Sequence, residues 1–246
     1  MFKKGLFLVL LSGITSPALL ASEQAHWSYE GQQGPDHWSA LSGDFSICSQ
    51  GKNQSPINLT KMIEAKLSPL SFSYRYGGKD VINNGHTIQV TYQKGSVLKL
   101  EGHHYELRQF HFHAPSENTI EGNSYPMEAH LVHADKEGNL AVVAVMFKQG
   151  TANSTLEKIW REMPKKMLQE KHLSQSVNAM GLLPKDKTYY RFNGSLTTPP
   201  CSEGVAWLVM KHYITASKAQ LETFERTVGA PNNRPVQPIN ARVILK

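Results

Sequence analysis

A strict alternation of polar or histidine residues with phenylalanine, Gln109-Phe110-His111-Phe112-His113, limits the possible folds of this chain more than any other stretch. Alternation with period two marks a β-strand, in which residues i and i+2 leave the same face. Gln109, His111 and His113 therefore share one face, and Phe110 and Phe112 pack into apolar surroundings behind it. A second stretch, Glu128-Ala129-His130-Leu131-Val132, repeats the pattern, with Glu128, His130 and Val132 on one face. If the two strands are neighbours, three imidazoles converge on one point.

Other segments alternate in the same way. Leu70, Phe72, Tyr74 and Tyr76 line one strand face, and Ile88, Val90 and Tyr92 line another after the turn signal Asn83-Asn84-Gly85. The apolar run from Leu140 to Phe147 follows Gly138-Asn139 and reads as a central strand buried on both faces. Gly204 to His212 and Arg242 to Leu245 read as further strands. His103 and His104 follow Gly102 in an expected turn.

Helices are few. Ser154 and Glu157 form an expected capping box ahead of Leu156, Ile159, Trp160 and Met163, and Pro164 disfavours continuation. Ser217 and Gln220 form another, with Leu221, Phe224 and Val228 on one face and Gly229 as the stop. No repeat or flexible linker divides the chain. The expectation is a mainly β (α+β) fold, with one large twisted, mostly antiparallel central sheet and short peripheral helices. Residues 22–246 form its single domain.

The N-terminus reads as a processing signal. Lys3 and Lys4 precede an apolar stretch from Leu6 to Leu11, too short to span a bilayer, and small residues lead to a cleavage point near Ala21. Residues 1–21 are thus an expected signal peptide, and the mature chain is periplasmic or secreted with no membrane anchor. N-terminal sequencing of the exported protein checks this, and an intact Met1 would refute it. The formal charge of +6 is reduced by loss of Lys3 and Lys4, and the remaining basic residues are dispersed. Only Lys165-Lys166 is a pair, so no nucleic-acid partner is expected. Two cysteines in an exported chain, Cys48 and Cys201, most simply form one disulfide; the alternative is two buried thiols.

Three neutral imidazoles suit Zn²⁺. They supply nitrogen ligands and leave the fourth tetrahedral position open, as catalytic sites do and structural sites do not. A ligating histidine usually donates its other N–H to a polar group. Gln109 is placed to serve His111 in this way, and Glu128 to serve His130. His133 points away from His130 by strand parity, which leaves it to packing or the surface. His26, His37, His172 and His212 carry no ligand spacing.

Taken in order along the chain, several segments resemble the α-class carbonic anhydrases of the bacterial exported type. They are Trp27-Ser28-Tyr29, Gln54-Ser55-Pro56-Ile57-Asn58, Asn83-Asn84-Gly85-His86, Gln109 to His113 and Ser116-Glu117-Asn118-Thr119. Glu128 to Val132, Ser195-Leu196-Thr197-Thr198-Pro199-Pro200 and Asn233 to Pro238 complete the series. The resemblance implies reversible hydration of CO₂ to bicarbonate and a proton, by attack of zinc-bound hydroxide. It implies that Thr197 accepts the hydroxide proton and donates its own to Glu117. It implies an apolar CO₂ wall of Val132, Val142, Leu196, Val205 and Trp207, with Thr198 also lining the substrate pocket. His86 becomes the proton shuttle, and Tyr29, Asn84 and Gln89 line the intervening waters. Many relatives carry Asn where Gln89 stands. Sulfonamides and anions are the expected inhibitors, and the chain is a monomer or homodimer.

Two rival readings remain at this point. A metal-dependent cupin would use Glu117 as a ligand in His111-x-His113-x₃-Glu117, although Pro115 argues against a simple strand there. A non-catalytic carbonic-anhydrase-like binding module would be expected to lack one or more of the zinc histidines, and all three are present.

Overall fold

The computed structural model describes residues 25–229 and 231–246, so the expected signal peptide at 1–21 lies outside them. An 11-stranded sheet dominates. Its main path runs through the strands Gln169–Val177, Gly78–Asn83, Ile88–Tyr92, His103–His113, Met127–Ala134, Leu140–Gln149, Glu203–Met210 and Tyr189–Ser195. Most neighbours are antiparallel; Glu203–Met210 and Ile214–Ala216 each run parallel to Leu140–Gln149. A short parallel pair, Asn58–Leu59 with Thr119–Ile120, stands apart.

Strand register determines what shares a face. His111 pairs with Gln89 on one side and with His130 on the other, and His130 pairs in turn with Ala144. One row further along, Thr91, Gln109, Val132, Val142 and Trp207 lie side by side. His113 pairs with Glu128. These rows occupy one face. On the other face Phe110, Phe112, Ala129, Leu131, Val143 and Val145 are fully buried in the larger core.

Two helices cover that second face. In Ser154–Glu162, Leu156 and Ile159 are buried, and in Lys218–Val228, Leu221 and Phe224 are buried. Trp160 and Phe224 stack with centroids 5.8 Å apart, and each meets Phe112 edge-on. The histidine-bearing strand is thus backed by aromatic packing, which holds its backbone still.

Several expectations need correction. The Ser154 helix is capped by Asn153, whose Oδ1 accepts from the Thr155 and Leu156 amides. An Asx cap one residue earlier therefore replaces the expected capping box. The Ser217–Gln220 capping box does form, and Gly229 ends its helix at φ +70°. Only Ser71–Ser73 of the 70–76 alternation is strand, and Tyr76 is exposed. Residues 242–245 form no strand; Leu245 makes isolated bridges to Ile63 and Arg191. His103 and His104 begin a long strand rather than occupying a turn. In each case tertiary pairing, not local pattern, decides where a strand begins and ends.

His133 shows the effect of parity. It is fully buried on the core face, where Tyr74 donates to its Nε2 at 2.5 Å and its Nδ1 donates to Ala141 O at 3.2 Å. Burial pushes its pKa down from 6.5 to about 4. A histidine held neutral in the fold stabilises fully above pH 6.5, and that contribution is lost as pH falls towards 4, a swing of about 3 kcal/mol. In the metal-free protein, His133→Gln is expected to shrink the stability difference between pH 7 and pH 4 by about that amount. Urea unfolding at the two pH values measures it, and equal differences in both proteins would refute the assignment.

Candidate metal centre

The three histidines form the only cluster among the described residues whose ligand atoms lie together as a metal would require, all within 4.8 Å of one another. Each ring has a separate polar neighbour, and two of the three are oriented by a hydrogen bond to it. His111 Nδ1 donates to Gln109 Oε1 at 2.8 Å. His113 Nδ1 donates to the Asn232 carbonyl at 2.8 Å. His130 Nε2 lies 3.0 Å from Glu128 Oε1, a hydrogen-bond distance without hydrogen-bond alignment. The first two rings therefore turn Nε2 inward, and the third turns Nδ1 inward.

The chemistry of this donor set fits a dication. His113 Nε2 is buried without a partner, and so is Glu117 Oε2. Burial pushes all three imidazoles below their usual pKa, so each presents a neutral lone pair. Burial also raises Glu117 to about 8 and Glu128 to about 7. A pocket in which burial works against every charge is one where a bound cation changes the balance, because it adds counter-charge against the desolvation of both carboxylates. Neutral nitrogen ligands and no thiolate suit zinc.

Glu117 is not placed as a fourth ligand of a strand-borne set. It stands after the strand ends, beyond Pro115. Its Oε1 accepts from the Arg234 amide at 2.8 Å. Its Oε2 faces His113 Nε2 at 3.5 Å and His130 Nδ1 at 3.8 Å. The Thr197 hydroxyl is close enough to act against the rise in its pKa. Glu128 accepts from the Glu117 and Asn118 amides and from Asn118 Nδ2, all within 2.8 Å. Glu128 thus ties the Glu117 loop to the His130 strand.

Beside the imidazoles lies an apolar wall. Val142, Val205 and Trp207 are buried in one cluster, and Val132 and Leu196 pack against it. The Trp207 ring meets His130 edge-on at 4.9 Å, and its Nε1 donates to Ser195 O. Thr198 is half-buried, and its carbonyl accepts from the Cys201 amide. The cysteines are bonded to each other, closing a loop with a sequence separation of 153.

His86 lies half-buried, stacked on Trp27 with centroids 3.7 Å apart and an interplanar angle of 8°. Burial lowers its pKa from 6.5. Tyr29 stands edge-on to it at 6.5 Å. Asn84 Oδ1 accepts from the His86 and Thr87 amides, which fixes the turn carrying the imidazole. Gln89 pairs across the strands with His111.

Sequence reasoning assigned no role to Asn232, Asn118, Arg234 or Trp27. Asn232 does more than orient His113: its Oδ1 accepts from the Ala114 amide and its Nδ2 donates to the His86 and Phe112 carbonyls. Three of the four stand inside segments already noted as family-like. Only their partners were missing, and those come from remote parts of the chain.

Comparison with known proteins agrees with this geometry. The family model of eukaryotic-type carbonic anhydrase matches residues 33–246. A carbonic anhydrase of Pectobacterium atrosepticum is 45% identical over 98% of this chain and 99% of its own length. One from Neisseria gonorrhoeae is 48% identical over 97% of this chain and 94% of its own. Among solved structures, the α-carbonic anhydrase of Thermovibrio ammonificans in complex with the inhibitor sulfanilamide is 49% identical. It superposes with a TM-score of 0.89, covering 91% of this chain and 100% of that one.

Proposed function

Since the chain belongs to the eukaryotic-type, or α, carbonic anhydrase family and is an enzyme of that class, we propose that it hydrates CO₂ reversibly at a Zn²⁺ held by His111, His113 and His130. The observation that carries the reading is the buried three-imidazole cluster, with a separate polar neighbour for each ring, beside an apolar wall. A bound Zn²⁺ supplies Lewis acidity, which in this family lowers the pKa of water to about 7.

The chain's own residues then have defined tasks. Arg234 N–H occupies Glu117 Oε1, so Oε2 is the oxygen left for the Thr197 hydroxyl. With its proton committed to Oε2, Thr197 Oγ1 can only accept from the attacking water. That fixes the direction of the water's lone pair, a positional gain obtained without charge. CO₂ offers no strong hydrogen-bonding handle, so Val132, Val142, Leu196, Val205 and Trp207 hold it by contact and exclude competing water, with Thr198 at the margin. The partners are therefore CO₂ and bicarbonate, with sulfonamides and anions as inhibitors.

Each turnover leaves a proton to be removed. His86 takes it on an imidazole, the side chain suited to move protons near neutral pH, through water lined by Tyr29, Asn84 and Gln89. Its lowered pKa favours release of the proton to solvent. His86→Ala is expected to lower kcat in dilute buffer by up to about 10²-fold and to be rescued by added imidazole. No effect under those conditions would eliminate the shuttle. Proton removal follows bicarbonate formation, so kcat/KM should stay near the wild-type value.

Stopped-flow CO₂ hydration by the zinc-loaded protein, with and without an aromatic sulfonamide, tests the reading as a whole. Rapid, sulfonamide-sensitive hydration is expected; a zinc-replete protein without it would refute the proposal. We place the mature enzyme in the periplasm or outside the cell after loss of residues 1–21. The Cys48–Cys201 bond supports an oxidising compartment.

A further inference from the structure

Behind Thr197 and Glu117 lies a guanidinium that the reaction scheme does not use. Arg234 is 2% exposed. A buried arginine is rare unless its donors are engaged, and here Nη1 and Nη2 are bonded while Nε has no partner. Its Nη1 donates to Gln54 Oε1 at 2.9 Å and to Ser55 O at 2.8 Å, and its Nη2 donates to Cys48 O at 2.7 Å. Its Cζ lies 5.5 Å from the centroid of Trp38. Gln54 extends the network, because its Nε2 donates to Cys201 O at 3.0 Å. The guanidinium is thus bonded directly to one half of the disulfide and, through Gln54, to the other.

The two ends of this network reach the reaction. On one side, the Arg234 amide donates to Glu117 Oε1 at 2.8 Å. On the other, the Cys201 amide donates to Thr198 O at 2.8 Å, which closes the turn that follows directly on Thr197. Thr197 and Glu117 come from different segments, and no strand pairing joins them. A hydroxyl must meet a carboxylate within about 0.5 Å of the productive geometry to be held by it. Residues 55–57 tie the two segments, through the Ser55–Ser195 pair and through Asn118 Oδ1 accepting from the Ile57 amide, and Arg234 braces that tie, bonded to Ser55 O on one side and to Glu117 on the other.

We propose that Arg234 is the positioning residue for this pair: its side chain grips the Cys48–Cys201 bridge, its main chain grips Glu117, and together they keep Thr197 in register with that carboxylate. The role rests on the CO₂-hydration reading and deepens it. Lysine cannot take it over, because a point-like ammonium cannot reproduce a planar fork bonded to Gln54, Ser55 and Cys48 at once.

The test uses Arg234→Lys, which keeps the charge and loses the fork. Its kcat/KM for CO₂ hydration is expected to fall about tenfold, the usual cost of removing an orienting partner. Zinc content should remain that of the wild type, and kcat in dilute buffer should change less, because the His86 turn is not part of the network. In the metal-free protein, dithiothreitol should reduce the Cys48–Cys201 bond several-fold faster, since the Cys48 carbonyl loses its donor and Gln54, which holds the Cys201 carbonyl, loses its anchor. Gln54→Met removes the Cys201 link together with one acceptor of Arg234 Nη1 and a contact with Glu203, leaves the guanidinium on Ser55 O and Cys48 O, and should shift both readouts in the same direction by less. If Arg234→Lys does not fold, Gln54→Met carries the test alone. A wild type that does not hydrate CO₂ would overturn the functional reading itself. An active wild type with both variants within about twofold of it in kcat/KM would overturn only the positioning role. Unchanged disulfide reduction, or activity lost in proportion to zinc, would do the same.

Discussion

Replacing His113 with Ala is expected to abolish both metal binding and CO₂ hydration. His113 is almost fully buried: its Nδ1 is committed to Asn232 O, and its Nε2 is buried without a partner. Removal leaves two imidazoles, which do not enclose a tetrahedral ion. Bound zinc should drop from one per chain to near zero after dialysis. Hydration should fall by about 10⁴-fold or more, the scale seen when an essential group is lost. Atomic absorption and stopped-flow assays on the same sample give both values. Full zinc occupancy with unchanged activity would remove His113 from the ligand set. The variant should also lose the stabilisation that zinc gives the folded state, about 4 kcal/mol at a thousandfold excess over Kd.

Thr197→Ala should have the second-largest effect, of a different kind. Zinc should remain, because no ligand is touched. On the proposed reading, what disappears is the hydroxyl that links Glu117 Oε2 to the attacking water. Loss of one preorganised group of this type costs about 10²- to 10³-fold in rate, and it should appear in kcat/KM because it acts on the attack itself. Glu117 would then be left buried with one amide donor and a pKa pushed up to about 8 or beyond. An undiminished hydration rate in a zinc-replete Thr197→Ala protein would refute the assignment. The contrast with His113→Ala is diagnostic: one variant loses activity with its metal, the other without losing it.

Much of this molecule was legible in the sequence where one physical rule sufficed. Strand parity alone put Gln109, His111 and His113 on one face and Phe110 and Phe112 on the other, because Cβ directions alternate along any strand. The same rule turned His133 away from that face, and only the structure showed it buried in the opposite core. The helix from Lys218 to Val228 was readable from Ser217, Gln220 and Gly229, because capping is satisfied within a few residues. The apolar run from Leu140 could only be an inner strand. Local rules failed where pairing partners decide the outcome, as at residues 70–76, 103–104 and 242–245.

What tertiary structure alone decided is the meeting of distant segments. Asn232 reaches His113 across 119 residues, and Arg234 reaches Glu117 across 117 and Cys48 across 186. Such contacts leave no period in the chain, because they depend on where irregular segments settle after the sheet has formed. The sequence by itself determined which imidazoles face one another. The fold decided what lies beside each ring, what Glu117 Oε1 accepts from, and on which ring His86 rests, since only packing brings Asn232, Arg234 and Trp27 to their partners.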